Sequence, residues 1–250
     1  VIETYYEPFV GGASVLYKLL HTDIKVKNDY ICSDINSDLI SLWNAIKDFP
    51  KDLIDAYFEM WNELNRDNYI ERRKEYFYSI RRRFNQHREP SDFLFLSRTC
   101  TNGLIRYNSK GEFNTSLHFT RTGIMPESLA QIIIDWHNKL NKFDVQFICR
   151  DYQTVITKEN DFIYLDPPYA GTKGVYYGSI NYESMWEWLR KQKGNYILSF
   201  NGTCGNENRT FDVPKDIYNE HDYSYSGCSS FKRIKEKGTQ YVNESLYIKL

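Results

Sequence analysis

The sequence has no apolar run near the roughly 18 residues that a membrane-spanning helix needs, and no N-terminal secretory signal pattern. Its five cysteines (32, 100, 149, 204, 228) are scattered, odd in number and without a C-x-x-C pair. They read as reduced thiols of a cytosolic protein, forming neither a disulfide framework nor a zinc site. The five histidines (21, 87, 118, 137, 221) show no ligand spacing either. Net charge is −1 over 250 residues, so the surface as a whole does not attract polyanions. Proline is also scarce, with seven in all, yet two of the seven stand side by side.

Those two close the stretch around which the chain is organised, Asp161-Phe162-Ile163-Tyr164-Leu165-Asp166-Pro167-Pro168-Tyr169. Four uncharged, mostly apolar residues in a row predict a buried strand of a parallel sheet. Pro167 and Pro168 cannot donate to a ladder and fix φ, so the strand stops there in a stiff turn. In open α/β sheets the carboxyl edge is where ligands bind. Asp166 and a proline carbonyl offer two acceptors, and Tyr169 offers a flat face. That set suits a planar exocyclic amine whose two hydrogens are accepted while the ring is stacked. The plainer alternative is a proline-ended strand with a solvated Asp and a packed Tyr.

Two further strands surround this one in the expected order. Residues 2–9 read as a strand entering a turn, and Gly11-Gly12-Ala13-Ser14 leads into a helix carrying Val15, Leu16, Leu19 and Leu20. Glycines allow close backbone approach, and a helix start offers unpaired N–H groups. The strand Tyr30-Ile31-Cys32-Ser33 ends at Asp34, 22 residues past Gly12. An acid about 20 residues after a glycine turn is placed to hydrogen-bond a ribose. A full G-x-G-x-x-G is missing, so no pyrophosphate is indicated. A tight turn followed by a helix-capping Asp explains the same residues.

From Pro50 the α/β rhythm stops, and residues 51–100 read as helical. Between 71 and 121 there are eleven Lys or Arg against five acids, interleaved with Tyr76, Phe77, Tyr78, Phe84 and Tyr107. A basic stripe with aromatics suits phosphate contact and base stacking. The alternative is a solvated helix face with i,i+4 pairs. The run Arg81-Arg82-Arg83, without acids close by, argues against that. Residues 97–114 are rich in Gly, Asn and Arg and read as an exposed hairpin or long loop. Strands at 145–149 and 195–200, a helix at 183–190 and a last strand at 242–248 resume the rhythm. The layout is an α/β domain of residues 1–50 and 146–250, interrupted by a basic, mainly helical insertion at 51–145.

In this order the stretches resemble the Dam-type (α-group, D12 class) DNA adenine-N6 methyltransferases. Glu7-Pro8-Phe9-Val10-Gly11-Gly12-Ala13-Ser14-Val15 is similar to that family's S-adenosyl-L-methionine loop. Asp34, followed by Ile35, matches the acid that holds the ribose hydroxyls, and Asp151-Tyr152 matches the position near the cofactor's adenine. Asp166-Pro167-Pro168-Tyr169 matches the catalytic motif. Asn102-Gly103-Leu104, Arg106-Tyr107-Asn108 and Gly111-Glu112-Phe113-Asn114 match the target-recognition hairpin, and Arg98, Lys110 and Asn114 are assigned to DNA with them.

The resemblance implies a Rossmann-like class I methyltransferase sheet with an inserted, mainly helical target-recognition domain. It implies site-specific methyl transfer to N6 of adenine in duplex DNA by base flipping. S-adenosyl-L-homocysteine is then the product, and no metal is needed. Implied partners are double-stranded DNA and a cognate restriction endonuclease, with no membrane, in the cytoplasm of a bacterial, phage or viral host cell. The alternatives are a catalytically impaired DNA-binding module and an RNA adenine methyltransferase. Family members carry a Gly-x-Lys segment upstream of the glycine loop, whereas this sequence begins at Val1, on the first strand. Thr101 stands where the hairpin often has an aromatic, and Ser116 where many relatives have proline. The target sequence is therefore not carried over.

Overall fold

The computed structural model describes residues 1–168, 180–205, 207–228 and 241–250. Along the chain the elements are β1 (Tyr5–Glu7), α1 (Ser14–Leu19), β2 (Tyr30–Asp34), α2 (Ser37–Asp48), α3 (Pro50–Leu64), α4 (Ile70–His87), α5 (Pro90–Thr99), α6 (Pro126–Lys142), β3 (Gln146–Cys149), β4 (Phe162–Leu165), α7 (Tyr182–Lys191), β5 (Asn195–Cys204), β6 (Glu207–Asn208), β7 (Glu220–Cys228) and β8 (Tyr241–Lys249). They divide into two compact units. One is residues 1–33 with the described residues from 150 onward; the other is residues 34–149.

The first unit is built on a sheet in the order β2-β1-β4-β5-β8-β7. β1 pairs in parallel with β2 on one side and with β4 on the other, Tyr5 lying opposite both Tyr30 and Phe162. β4 and β5 are parallel, and β8 and β7 follow antiparallel. Chain order therefore reverses direction across the sheet at β1. In such sheets the crevice at the carboxyl ends, beside the reversal, is where ligands bind. The β1 turn and the β4 turn both emerge there.

The predicted central strand is β4, with Ile163 and Leu165 fully buried. They pack with Tyr196, Leu198 and Phe200 of β5 against Met185, Trp186, Trp188 and Leu189 of α7. Positions 185, 186, 188 and 189 form one helical face, and burying each such side chain contributes roughly 1.5–3 kcal/mol. Asn181 starts the helix, its side chain accepting from the Ser184 amide at 3.1 Å.

Two features of the C-terminal part differ from the sequence expectation. β5 runs on past Asn201-Gly202 to Cys204, through a register shift between Phe200 and Thr203. Gly202 is required at that shift, because a Cβ there would sit 2.1 Å from the Asn243 carbonyl oxygen. The strand β7 was not anticipated. Its residues Glu220-His221-Asp222-Tyr223-Ser224-Tyr225 are polar or exposed, as an edge strand's are, so no apolar run marks it.

The second unit consists of α2 to α6 and β3. Proline stands in the first turn of α3, α5 and α6, where its missing N–H costs nothing. Trp43 of α2 lies between Trp136 (4.8 Å, edge-on) and Phe147 (5.3 Å, stacked). Phe77, Phe84, Phe93 and Phe95 are fully buried. The sequence places the borders at 50/51 and 145/146; compactness places them at 33/34 and 149/150, because α2 packs on α5, α6 and β3. No described helix is long and apolar enough to cross a membrane.

Candidate functional site

In the first unit the glycine turn and the proline turn share the sheet's carboxyl edge. Between β1 and α1 the backbone winds through left-handed conformations at Gly11 (φ 45°) and Ala13 (φ 55°). Val10 is tied to the neighbouring strand by its amide, which donates to the Ser33 carbonyl at 3.0 Å. A Cβ added at Gly12 would meet nothing within 4 Å, so the backbone there faces open space. Ser14 begins α1 and is exposed. Ala13, at the cap position, has no side-chain acceptor for the helix start. Glu7 supplies one, its carboxyl accepting from the Leu16 amide and, at 2.7 Å, from the Tyr5 hydroxyl. Glu7 is only 3% exposed. Burial pushes its pKa up to about 8; the Tyr5 bond opposes that rise and the nearby Asp166 adds to it.

Phe9 and Tyr152 are within ring contact at 5.2 Å, and Tyr152 lies edge-on to Trp188 at 5.2 Å. Thus the two loops assigned to the cofactor meet through their aromatics. Asp151 is exposed and caps its own turn, accepting from the Gln153 amide at 2.8 Å. Pro8 is buried beside them.

Past β4, Asp166 is exposed, Pro167 buried and Pro168 half-buried. The Tyr182 hydroxyl donates to the Pro168 carbonyl at 3.1 Å, which fixes the turn to α7. Tyr182 is itself held by Phe200 (5.4 Å) and Phe211 (4.9 Å). Tyr169 lies outside the described residues, as do those that follow it to 179. Sequence reasoning passed over Tyr164, Ser199 and Glu244. The Tyr164 phenol is held well above the usual tyrosine range by burial first and then by Asp166, and it also senses Glu244 and Glu7. The Ser199 hydroxyl donates to Glu244 at 3.4 Å. The even alternation of residues 242–248 was the available signal for Glu244, since it fixes the face on which that side chain lies.

In the second unit Asp34 ends β2, and its Oδ1 accepts from the Asn36 amide at 2.9 Å. The helix cap is Asn36, which accepts from the Asp38 and Leu39 amides at 3.1 and 3.3 Å. Ile35, between them, is exposed at 41%. Residues 99–118 form a hairpin with only two bridges, Cys100 to Leu117 and Tyr107 to Phe113. Asn102, Arg106, Lys110 and Asn114 are exposed on it, Arg98 is exposed in the last turn of α5, and Asn102 and Gly103 both take positive φ.

Other hairpin positions are committed inside the unit. Asn108 builds the tip, accepting from the Lys110 and Glu112 amides at 2.9 and 3.0 Å. Tyr107 donates to Asp38 at 2.6 Å, and burial followed by that carboxylate holds its phenol far above the usual range. The Leu104 carbonyl accepts from Thr115 at 2.7 Å.

The arginine run also differs from expectation. Arg83 pairs with the fully buried Asp92, at 2.9 and 2.5 Å. Arg81 donates to the carbonyls of Asn114 and Thr115, and Arg73 to those of Phe119 and Arg121. Arg81 and Arg73 thus brace the hairpin and the loop after it, Arg83 ties α4 to α5, and Arg82 is exposed. The acid missing from the vicinity of the run is Asp92, on the next helix.

The first unit carries a glycine turn and an Asp-Pro-Pro turn at one sheet edge, and the helical unit carries Asp34 and an arginine-braced hairpin. A sequence model of the D12 class N6 adenine-specific DNA methyltransferases matches residues 2–239. The chain belongs to that family. The D12 assignment agrees with curated relatives. The Type II methyltransferase M.MjaIII of Methanocaldococcus jannaschii is 36% identical over 179 residues, 67% of this chain and 59% of that protein. The DNA adenine methylase of Escherichia coli (strain K12) is 36% identical over 175 residues, 67% of this chain and 56% of that protein. The chain thus spans less than three fifths of the length of these relatives. As expected of a D12 chain, the fold is mixed α/β with a mostly parallel central sheet.

Proposed function

We propose that this D12 chain transfers a methyl group from S-adenosyl-L-methionine to N6 of adenine in duplex DNA. The observation that carries the reading is the placement of Asp166-Pro167 at the carboxyl edge beside the sheet's reversal, next to the turn that leaves Gly12 facing open space. Asp151, Tyr152, Asp34, Ile35 and residues 7–14 would hold the cofactor. When bound, it supplies an electrophilic methyl on sulfur and leaves as S-adenosyl-L-homocysteine.

The chain's own part is to prepare the nitrogen. A stacked adenine hides its amine, so the base leaves the duplex first. Asp166 and the Pro167 carbonyl accept the two N6 hydrogens and raise the electron density on nitrogen. Tyr169 stacks on the base. Asp166 then receives the proton that the methylated amine sheds and passes it to solvent. Positioning and charge complementarity carry the rate, with no covalent enzyme intermediate and no metal in the reading. Arg106 and Asn102 read base edges. Arg98, Lys110 and Asn114 touch phosphates, and Gly103, Leu104, Tyr107 and Asn108 shape the hairpin. The protein then works inside a bacterial, phage-infected or virus-infected cell, with or without a cognate restriction endonuclease.

The test is transfer of labelled methyl from S-adenosyl-L-methionine to unmethylated duplex, followed by nucleoside digestion. N6-methyladenine is the expected product. Label in RNA alone, or in cytosine, overturns the reading, and so does DNA binding without transfer.

A further inference from the structure

The second unit holds a continuous hydrogen-bonded chain from Asp34 to the hairpin tip. Asp34 accepts from the Asn36 amide, and Asn36 accepts from the Asp38 amide, which fixes the first turn of α2 relative to Asp34. The Asn36 side chain also bonds the Tyr107 phenol oxygen. One oxygen of Asp38, Oδ2, then accepts from both the Tyr107 hydroxyl at 2.6 Å and Arg88 Nη1 at 3.0 Å. Arg88 Nη2 donates to the Gly111 carbonyl at 2.6 Å, at the hairpin tip.

Two features single this network out. The Asp38 side chain is 10% exposed, so these partners and not solvent occupy most of its surroundings. Arg88 occupies the left-handed cap of α4 at φ 57°, a position that favours glycine. Arginine stands there nonetheless, with its guanidinium over the rings of Phe84 and Tyr107. The cap geometry aims that guanidinium at Asp38 and Gly111 together.

We infer that Asp38 is a positioning residue that couples cofactor binding at Asp34 to the recognition hairpin through Tyr107 and Arg88. The inference rests on the reading of Asp34 as the ribose acid. Ordering Asp34 around a ribose orders α2's first turn, and that turn sets the hairpin's register. Linkage makes the effect reciprocal, so DNA must tighten cofactor binding by the same factor.

The experiment measures the Kd of S-adenosyl-L-homocysteine by calorimetry, with and without saturating duplex, in the wild-type chain. It repeats this in Tyr107→Phe, Asp38→Asn and Asp34→Ala. Tyr107→Phe removes a single hydroxyl and is checked for an unchanged fold by its melting temperature. The wild-type chain should show DNA tightening the Kd on the order of tenfold. Tyr107→Phe should bring that factor below about twofold. Asp38→Asn, which keeps an acceptor, should fall between. A Tyr107→Phe chain with the full wild-type factor overturns the coupling, as does a wild-type chain with none. If Asp34→Ala leaves the DNA-free Kd unchanged, the ribose reading itself falls; if it weakens that Kd while Tyr107→Phe keeps the coupling, only the relay falls.

Discussion

The Asp166 turn and the recognition hairpin hold their side chains in different ways. The turn is stiff because of its own covalent chemistry: two prolines follow a strand whose Ile163 and Leu165 are fully buried, and one hydroxyl from Tyr182 completes it. The hairpin has two bridges and little ladder, and it is held from outside by Arg81, Asn85 and Arg88 on or beside α4. On the proposed function, chemistry sits on the rigid local element and recognition on a loop whose shape is set by side chains 20 or more residues away.

Breaking the turn should have the largest effect. Asp166→Ala removes an acceptor of the N6 hydrogens, and turnover should fall by about 10³-fold, within the usual range for a lost catalytic acid–base group. Single-turnover methyl transfer measures it, and DNA affinity should move by less than about threefold, since no phosphate contact is lost.

Breaking the brace should cost stability. Arg83→Ala takes the cation from the Asp92 carboxylate; the Arg83 side chain is itself 51% exposed, so water reaches the site once it is gone and the cost should be about 1–2 kcal/mol. Arg82→Ala, at an exposed neighbour, should stay within about 0.5 kcal/mol. Urea unfolding of the pair separates bracing arginines from surface ones. Equal midpoints would mean that the Arg83–Asp92 pair adds nothing to stability.

That contrast also explains what the sequence discloses. The strand and proline stop at 162–168, the glycine turn and the end of β2 at Asp34 are legible because each is a local pattern: an apolar run, a proline stop, a spacing. The bracing roles of Arg81, Arg83 and Arg88 are not, since their partners lie at 114–115, 92 and 38, and no periodicity links them. β7 escapes for another reason. Its partner β8 supplies the burial, while β7 carries exposed residues such as Tyr223 and Tyr225. The end of β5 at Cys204 escapes because Gly202 reads as a turn signal, while in the fold it admits the Asn243 backbone. Gly202→Ala should therefore cost about 2 kcal/mol and lower the melting temperature by roughly 5 °C.

A further effect concerns pH. Glu7 titrates near pH 8 when folded and near 4.5 when unfolded. The unfolded chain thus binds fewer protons between those values, and stability falls as pH rises from about 4.5 to 8, by at most ~1.4 kcal/mol per pH unit. Glu7→Gln should flatten that slope while keeping the contacts to Tyr5 and Leu16. An unchanged slope would mean that Glu7 is ionised in the fold.

The most direct test of the division between turn and hairpin is a map of methylated adenines on a mixed-sequence duplex, made with wild type and with Arg106→Ala. Losing one base-reading guanidinium should lower discrimination at one position by about 5–150-fold. Arg106→Ala should gain new methylated sites that differ from the wild-type motif at a single position, with N6-methyladenine still the product. An unchanged motif, methylated only more slowly, would contradict it.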